Sequence, residues 1–200
     1  RQWEGYGSQK NYATGLASHD WVLSIDADER VSKELAEEIQ ALMESVPVLQ
    51  GYRIPRTTRY LGRWIRSTDW YPDRQLRLYD RRVAQWNDRY IHESVRVQGR
   101  VGSLRAELYH HSYRGIGEHL SRMNHYTTLA AAQMMADGRR TNWLDLIAYP
   151  PLVFFRNYIW RRGFSDYLPG LIVSLMNTYY VLCKYAKLWE QQTQSKRTSD

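Results

Sequence analysis

Asp26 and Asp28 stand two residues apart at the end of the apolar run Trp21-Val22-Leu23-Ser24-Ile25. On an extended segment, residues i and i+2 point to the same side, so both carboxylates are expected to face one ligand. Paired hard oxygen donors that leave coordination positions open suit Mg²⁺ or Mn²⁺ carrying a diphosphate. The end of a strand is also where open α/β sheets bind their ligands. The same spacing equally describes a solvated turn ahead of a helix, where acids collect near the positive end. An EF-hand is disfavoured, because Arg30 takes the third ligand position and the glycine is absent. Two further groups carry chemistry. His92-Glu93 sets a carboxylate beside an imidazole in a loop, as a general base requires, although a surface pair reads the same way. His110-His111 closes the run 104–109, where a ring nitrogen could complete a metal site or contact phosphate; an exposed pair is the plainer explanation.

The elements that must position these groups can be read from periodicity. Residues 7–18 read as a short helix, and 21–25 as a buried strand that ends in Asp26-Ala27-Asp28-Glu29. Ser32 has the look of an N-cap, with Glu34, Glu37 and Glu38 near the positive helix end. Leu35, Ile39, Leu42, Met43 and Val46 follow at helical spacing up to Pro47. Helix, strand, acidic turn and helix make an α/β pattern. Residues 51–66, 74–79 and 95–109 alternate polar and apolar side chains, which predicts short, mostly antiparallel strands. A helix returns over 117–137, with Leu120, Met123, Thr127, Ala130 and Met134 on one face.

Composition narrows the partners. The chain has 200 residues and a net charge of +7, so an anionic partner fits. Its aromatic side chains are 16 Tyr and 8 Trp against 3 Phe, a mixture suited to sugar-stacking surfaces and membrane interfaces. Trp64, Trp70 and Trp86 are candidates for stacking on sugar rings, or for packing in the core. A single cysteine, Cys183, excludes an internal disulfide and a Cys-based zinc site, and fits a reducing compartment. Between Arg139 and Arg162 five arginines face one acid, Asp145, among Trp143, Phe154, Phe155, Tyr158 and Trp160. Residues 167–183 then carry no charge for 17 residues, interrupted by Pro169 and Gly170. Amphipathic helices lying in a membrane interface are expected here, rather than a span. The domain reading is a catalytic part over 1–138, a basic aromatic helical part over 139–190 and a polar tail over 191–200.

Taken in order, the segments Tyr6-Gly7-Ser8-Gln9-Lys10-Asn11-Tyr12-Ala13 and Asp20-Trp21-Val22-Leu23-Ser24-Ile25-Asp26-Ala27-Asp28-Glu29 resemble family 2 glycosyltransferases of the lipopolysaccharide core type. Gln75-Leu76-Arg77-Leu78-Tyr79, His92-Glu93-Ser94-Val95 and His110-His111-Ser112-Tyr113 are similar to later motifs of the same group. The resemblance covers nearly the whole chain. It implies a GT-A-like α/β fold: a nucleotide-binding half lacking its first strands, then a small mixed sheet and C-terminal amphipathic helices. Such enzymes open with a strand, an Asn-Glu turn and an Asp-rich strand end, none of which precedes Arg1, so the chain is expected to be N-terminally truncated.

The same resemblance implies roles. Asp26, Asp28 and His110 are expected at a Mg²⁺ or Mn²⁺ ion, with His110 preferred over His111 because Ser112-Tyr113 then falls in register. Gln9, Lys10 and Asn11 are expected beside the nucleotide, Arg77 and His92 at substrate, and Glu93 as the catalytic base. The expected reaction is inverting, metal-dependent transfer of a sugar, by default from UDP-hexose, to a lipid-linked saccharide such as lipopolysaccharide core. The expected location is the inner face of the cell membrane, held peripherally. Two other readings stand on the residues alone: a non-catalytic membrane-associated remnant, and a basic nucleic-acid-binding module. Nucleic acid is the less expected partner, because the C-terminal aromatics sit among Leu, Ile and Val rather than on a polar face.

Overall fold

The computed structural model describes residue 2, residues 4–87 and residues 94–197. They form two compact units, Arg1–Thr57 with Pro72–His111, and Thr58–Tyr71 with Ser112–Asp200. The architecture is mixed α/β and GT-A-like, with a curled sheet and C-terminal helices.

In the first unit, α1 (Tyr6–Gly15) is followed by β1 (Trp21–Leu23), β2 (Glu29–Val31) and α2 (Lys33–Glu44). Then come β3 (Gly51–Tyr60), whose last three residues belong to the second unit, β5 (Asp73–Asp80), β6 (Ala84–Trp86), β7 (Val95–Val97), β8 (Val101–Ser103) and β9 (Leu108–His110). The strands pair in the order β1-β5-β3-β9-β2, with β8 parallel to the start of β3 and β6 antiparallel to β7. Ser32 caps α2 as the sequence predicts, its Oγ accepting the Leu35 N–H at 3.1 Å. The apolar face of α2 then drops Leu35 into a core with Tyr52, Ile54, Leu78, Leu104 and Leu108. Burying a side chain of that size contributes about 2 kcal/mol.

Two expectations change here. The strand over 21–25 is only Trp21–Leu23, half-buried and paired on one side by β5. Asp26 to Glu29 is a turn closed by the Glu29 N–H on the Asp26 carbonyl at 2.9 Å, so the two aspartates do not alternate along a strand. The turn forms because the Glu29 carboxylate reaches back to the Asp26 N–H at 2.9 Å, occupying a donor that a continuing strand would use.

The second unit holds β4 (Arg63–Ile65), α3 (Ile116–Ala136), α4 (Trp143–Phe155) and α5 (Tyr167–Arg197), with a π-helical turn at Arg156–Trp160. β4 folds back on the end of β3 through Leu61-Gly62, both with positive φ, which suits a tight hairpin. α3 buries Met123 and Thr127, as periodicity suggested, but His119 rather than Leu120 at its start and Ala131 rather than Ala130 further on; Leu120 is exposed. His119 takes the inward place because its Nδ1 meets the Tyr60 hydroxyl at 2.9 Å, satisfying both polar groups inside. Residue 138 lies within this unit, just beyond the end of α3, and α5 continues through the 191–197 stretch read as a tail. α5 lies against a short turn, Gly163–Asp166, so closely that a Cβ at Gly170 would collide with the Gly163 carbonyl oxygen. Among the described residues, no helix is long and apolar enough to cross a membrane.

Candidate functional site

Three strand registers assemble the acidic turn. β1 against β5 pairs Leu23 with Leu78, and the Ser24 N–H donates to the Arg77 carbonyl at 2.8 Å, which sets Arg77 beside Asp26. β3 against β5 pairs Arg56 with Asp73. β2 against β9 pairs Glu29 with His110, which brings the His110 ring to Asp28. Along β5, Asp73 and Arg77 are four apart and share a face.

The charges then interlock. Arg77, only 5% exposed, donates to Asp26 at 2.6 Å and to Glu29 at 2.5 Å. Arg56 donates to the same Glu29 oxygen at 3.0 Å and holds Asp73 through two nitrogens at 2.9 and 2.6 Å. Lys10 reaches from α1 to Asp26 at 3.1 Å, with its ammonium 4.5 Å from the centre of the Trp86 ring. Burial would push the Asp26 carboxyl up, but Arg77 and Lys10 outweigh it and hold the pKa below the usual carboxylate range. Three bases thus match Asp26, Glu29 and Asp73.

Asp28 stands outside that balance. Its side chain is 40% exposed and faces the His110 Nε2 at 3.4 Å. Burial, and then the nearby Arg56 charge, push the His110 pKa below that of an ordinary imidazole, which favours the neutral ring. A neutral imidazole and a carboxylate side by side are the nitrogen and oxygen donors that Mn²⁺ accepts, and the pair fits a divalent cation. Among the described residues, no group of three or more His, Cys, Asp or Glu side chains is placed to hold a metal ion. A cation held here would therefore share its coordination with substrate oxygens and water, as Mg²⁺ and Mn²⁺ do with diphosphates.

The structure brings together Lys10, Asp26, Asp28, Arg77 and His110 of the residues singled out from sequence. Asn11 is committed elsewhere: its amide donates to the Trp86 carbonyl at 3.0 Å and accepts the Trp86 N–H at 2.8 Å. Gln9 is exposed on α1. His92 and Glu93 lie outside the described residues. His111 points its backbone N–H to the Asp28 carbonyl at 2.8 Å, while His110 supplies the ring that meets the carboxylate. Trp86 is buried with Tyr79 and Val95, its Nε1 on the Tyr79 hydroxyl at 3.0 Å, and is a core residue rather than a stacking platform. Glu29, Arg56 and Asp73 were missed as members of the cluster. Glu29 directly follows the aspartates and could have been included; Arg56 and Asp73 carry no local signal.

No family model matches the chain. A lipopolysaccharide core biosynthesis glycosyltransferase, LpsC, of Rhizobium meliloti (strain 1021) is 31% identical over 201 residues, covering 98% of this chain and 73% of that protein. Uncharacterized glycosyltransferases of Rickettsia conorii and Rickettsia prowazekii are each 26% identical, covering 98% and 100% of this chain and 73% of each relative. With identity at that level across nearly its whole length, the chain belongs to the glycosyltransferases, of the lipopolysaccharide core type.

Proposed function

We propose that the protein is an inverting, metal-dependent family 2 hexosyltransferase that moves a sugar from a nucleotide diphosphate donor, by default a UDP-hexose, to a lipid-linked saccharide such as lipopolysaccharide core. The observation that carries this reading is the Asp28–His110 pair at the open edge of a charge-balanced turn. Asp28 and His110 would hold Mg²⁺ or Mn²⁺, with Asp26 kept in the turn by Arg77 and Lys10, and such an ion would supply positive charge against the charge that develops on the leaving diphosphate. The other steps belong to side chains. Lys10 and Arg77 hold Asp26 ionised and fix the turn. Glu93 takes the proton of the acceptor hydroxyl as its oxygen bonds to the anomeric carbon. The bond from that carbon to the diphosphate oxygen breaks on the opposite face, and its electron pair leaves with the diphosphate. One displacement inverts the centre, so no protein nucleophile is needed. The acceptor's lipid portion places the reaction at a membrane surface, on the cytoplasmic side where nucleotide sugars are supplied.

The test is sugar transfer by the purified protein with a panel of nucleotide sugars, acceptor membranes, and Mn²⁺ or Mg²⁺ against EDTA. Metal-dependent transfer from one donor is the expected result. Full turnover in EDTA, or in Asp28→Asn, would remove the metal from the mechanism.

A further inference from the structure

α4 and the π-helical turn after it present an apolar stripe to the outside as well as to the inside. Leu144, Ile147, Leu152, Phe155 and Ile159 recur at helical spacing, and each is more than half exposed. They form a stripe about 22 Å long at a helical rise of 1.5 Å per residue. The inward side of the same segment is also largely apolar, with Pro150 and Val153 buried and Leu146, Phe154 and Tyr158 half-buried around Asn157, so the segment is apolar on both sides. Trp143 marks one end of the stripe and Trp160, 86% exposed, the other. From residue 146 to 155 there is no charged side chain. Arginines flank this stretch at 139 and 140 before it, and at 156, 161 and 162 after it. Arg156 and Arg161 are paired with Asp69, but Arg140 and Arg162 are exposed and have no carboxylate partner among the described residues. Next to Trp160 an open hollow of about 540 Å³ is lined by Phe155, Arg156, Ile159, Trp160 and Arg161.

We propose that this face is a docking surface for an anionic phospholipid bilayer, with α4 lying in the plane of the interface. An exposed apolar stripe of this size is too costly to leave in water without use. Its pattern is that of an interfacial helix: aliphatic and aromatic groups in the acyl boundary, Trp at headgroup depth, and arginines against negative headgroups. A second copy of the chain fits poorly. A two-fold contact through this face would set like-charged arginines of a +7 chain near one another. The inference deepens the proposed function, on which it rests for the reason a bilayer is used, because a lipid-linked acceptor is held at such a surface.

Sedimentation with vesicles of phosphatidylcholine, with and without phosphatidylglycerol, tests it without donor or acceptor, so its outcome is independent of whether sugar transfer is found. Binding to the anionic vesicles, weakened by salt, is expected. Ile147→Glu/Phe155→Glu should lower it by more than about tenfold. Arg140→Glu/Arg162→Glu should lower it by about tenfold or more at low salt and reduce the salt dependence. All four positions are exposed, so melting temperatures should match the parent protein. Equal binding to neutral and anionic vesicles overturns the proposal. So does unchanged binding by the Ile147/Phe155 variant, or an absence of vesicle binding together with a dimer that this variant dissociates.

Discussion

Each unit of the molecule organises a buried polar network, and the two networks are finished differently. In the unit containing the acidic turn, Glu29 is buried between Arg56 and Arg77, but the network opens at Asp26 and Asp28, which are 37% and 40% exposed. In the other unit, Asp166 is buried and fully occupied: it accepts the Arg66 N–H at 2.8 Å, the Ser67 hydroxyl at 2.6 Å and the Arg63 guanidinium at 3.3 Å. Asn157 is used up as well, accepting from the Asp69 N–H and Asn177 and donating to Asp69 and the Val153 carbonyl. There a strained residue, Thr68 with φ of 61°, is held in place by that closed network. A network with every bond made is a brace. One that ends on exposed carboxylates retains capacity for a ligand. That difference, more than the presence of acids, separates the candidate site from the scaffold.

The comparison can be broken most forcefully at its charged centre. Arg77→Met leaves Glu29 buried with Arg56 alone and frees Asp26, and should cost about 4 kcal/mol of stability in urea unfolding, with transfer lost as well. A small loss would mean that Glu29 does not depend on the arginine. Next, Asp166→Ala leaves a backbone N–H, a hydroxyl and a partly exposed guanidinium without their acceptor. It should cost about 3 kcal/mol, discounted for the exposure of Arg63, and leave the pH and metal dependence of transfer unchanged in the folded protein. A shift in metal dependence would contradict its role as a brace. Asp28→Asn should do the reverse. Transfer is expected to fall at least about a hundredfold while the melting temperature stays within a degree or so of the parent.

The smallest effect is set by pH. Burial pushes the His119 pKa down to about 4, among Tyr60, Trp70 and Tyr113. The unfolded chain therefore takes up a proton near pH 6.5 that the folded protein refuses, and stability falls as pH drops from 6.5 toward 4. Between pH 7 and 5.5 the loss from this group should be about 1 kcal/mol, seen as a lower melting temperature. His119→Gln should flatten that slope; an unchanged slope would place the titration elsewhere. His110, also shifted down by burial, adds to the slope in the same direction.

Much of this was legible one element at a time. Ser32 capping α2 and the stop before Pro47 are local, because caps and helix stops act over a few residues; the strand over 74–79 was read from its alternation, but its burial does not alternate, since Arg77, Leu78 and Tyr79 are buried in succession. The acidic residues were visible for the same reason. What failed was the assumption that Asp26 and Asp28 lie on an extended segment. Their geometry is decided by the Glu29 carboxylate folding back on the Asp26 N–H, and by an arginine 51 residues away. At the start of α3 the inward place falls to His119 rather than Leu120, because a polar residue is satisfied inside by Tyr60.

The sequence by itself therefore determined which residue types are available for chemistry, most of the order of strands and helices (β2, in the stretch read as a turn, was missed), and the relatedness to glycosyltransferases, since these depend on residue type and local spacing. Only the tertiary structure decided which acids are neutralised and which remain open. That outcome depends on strand register: Arg56 opposite Asp73, and Glu29 opposite His110. A slip of one residue would turn each of those side chains to the other face of the sheet, and no local pattern in the chain encodes the pairing.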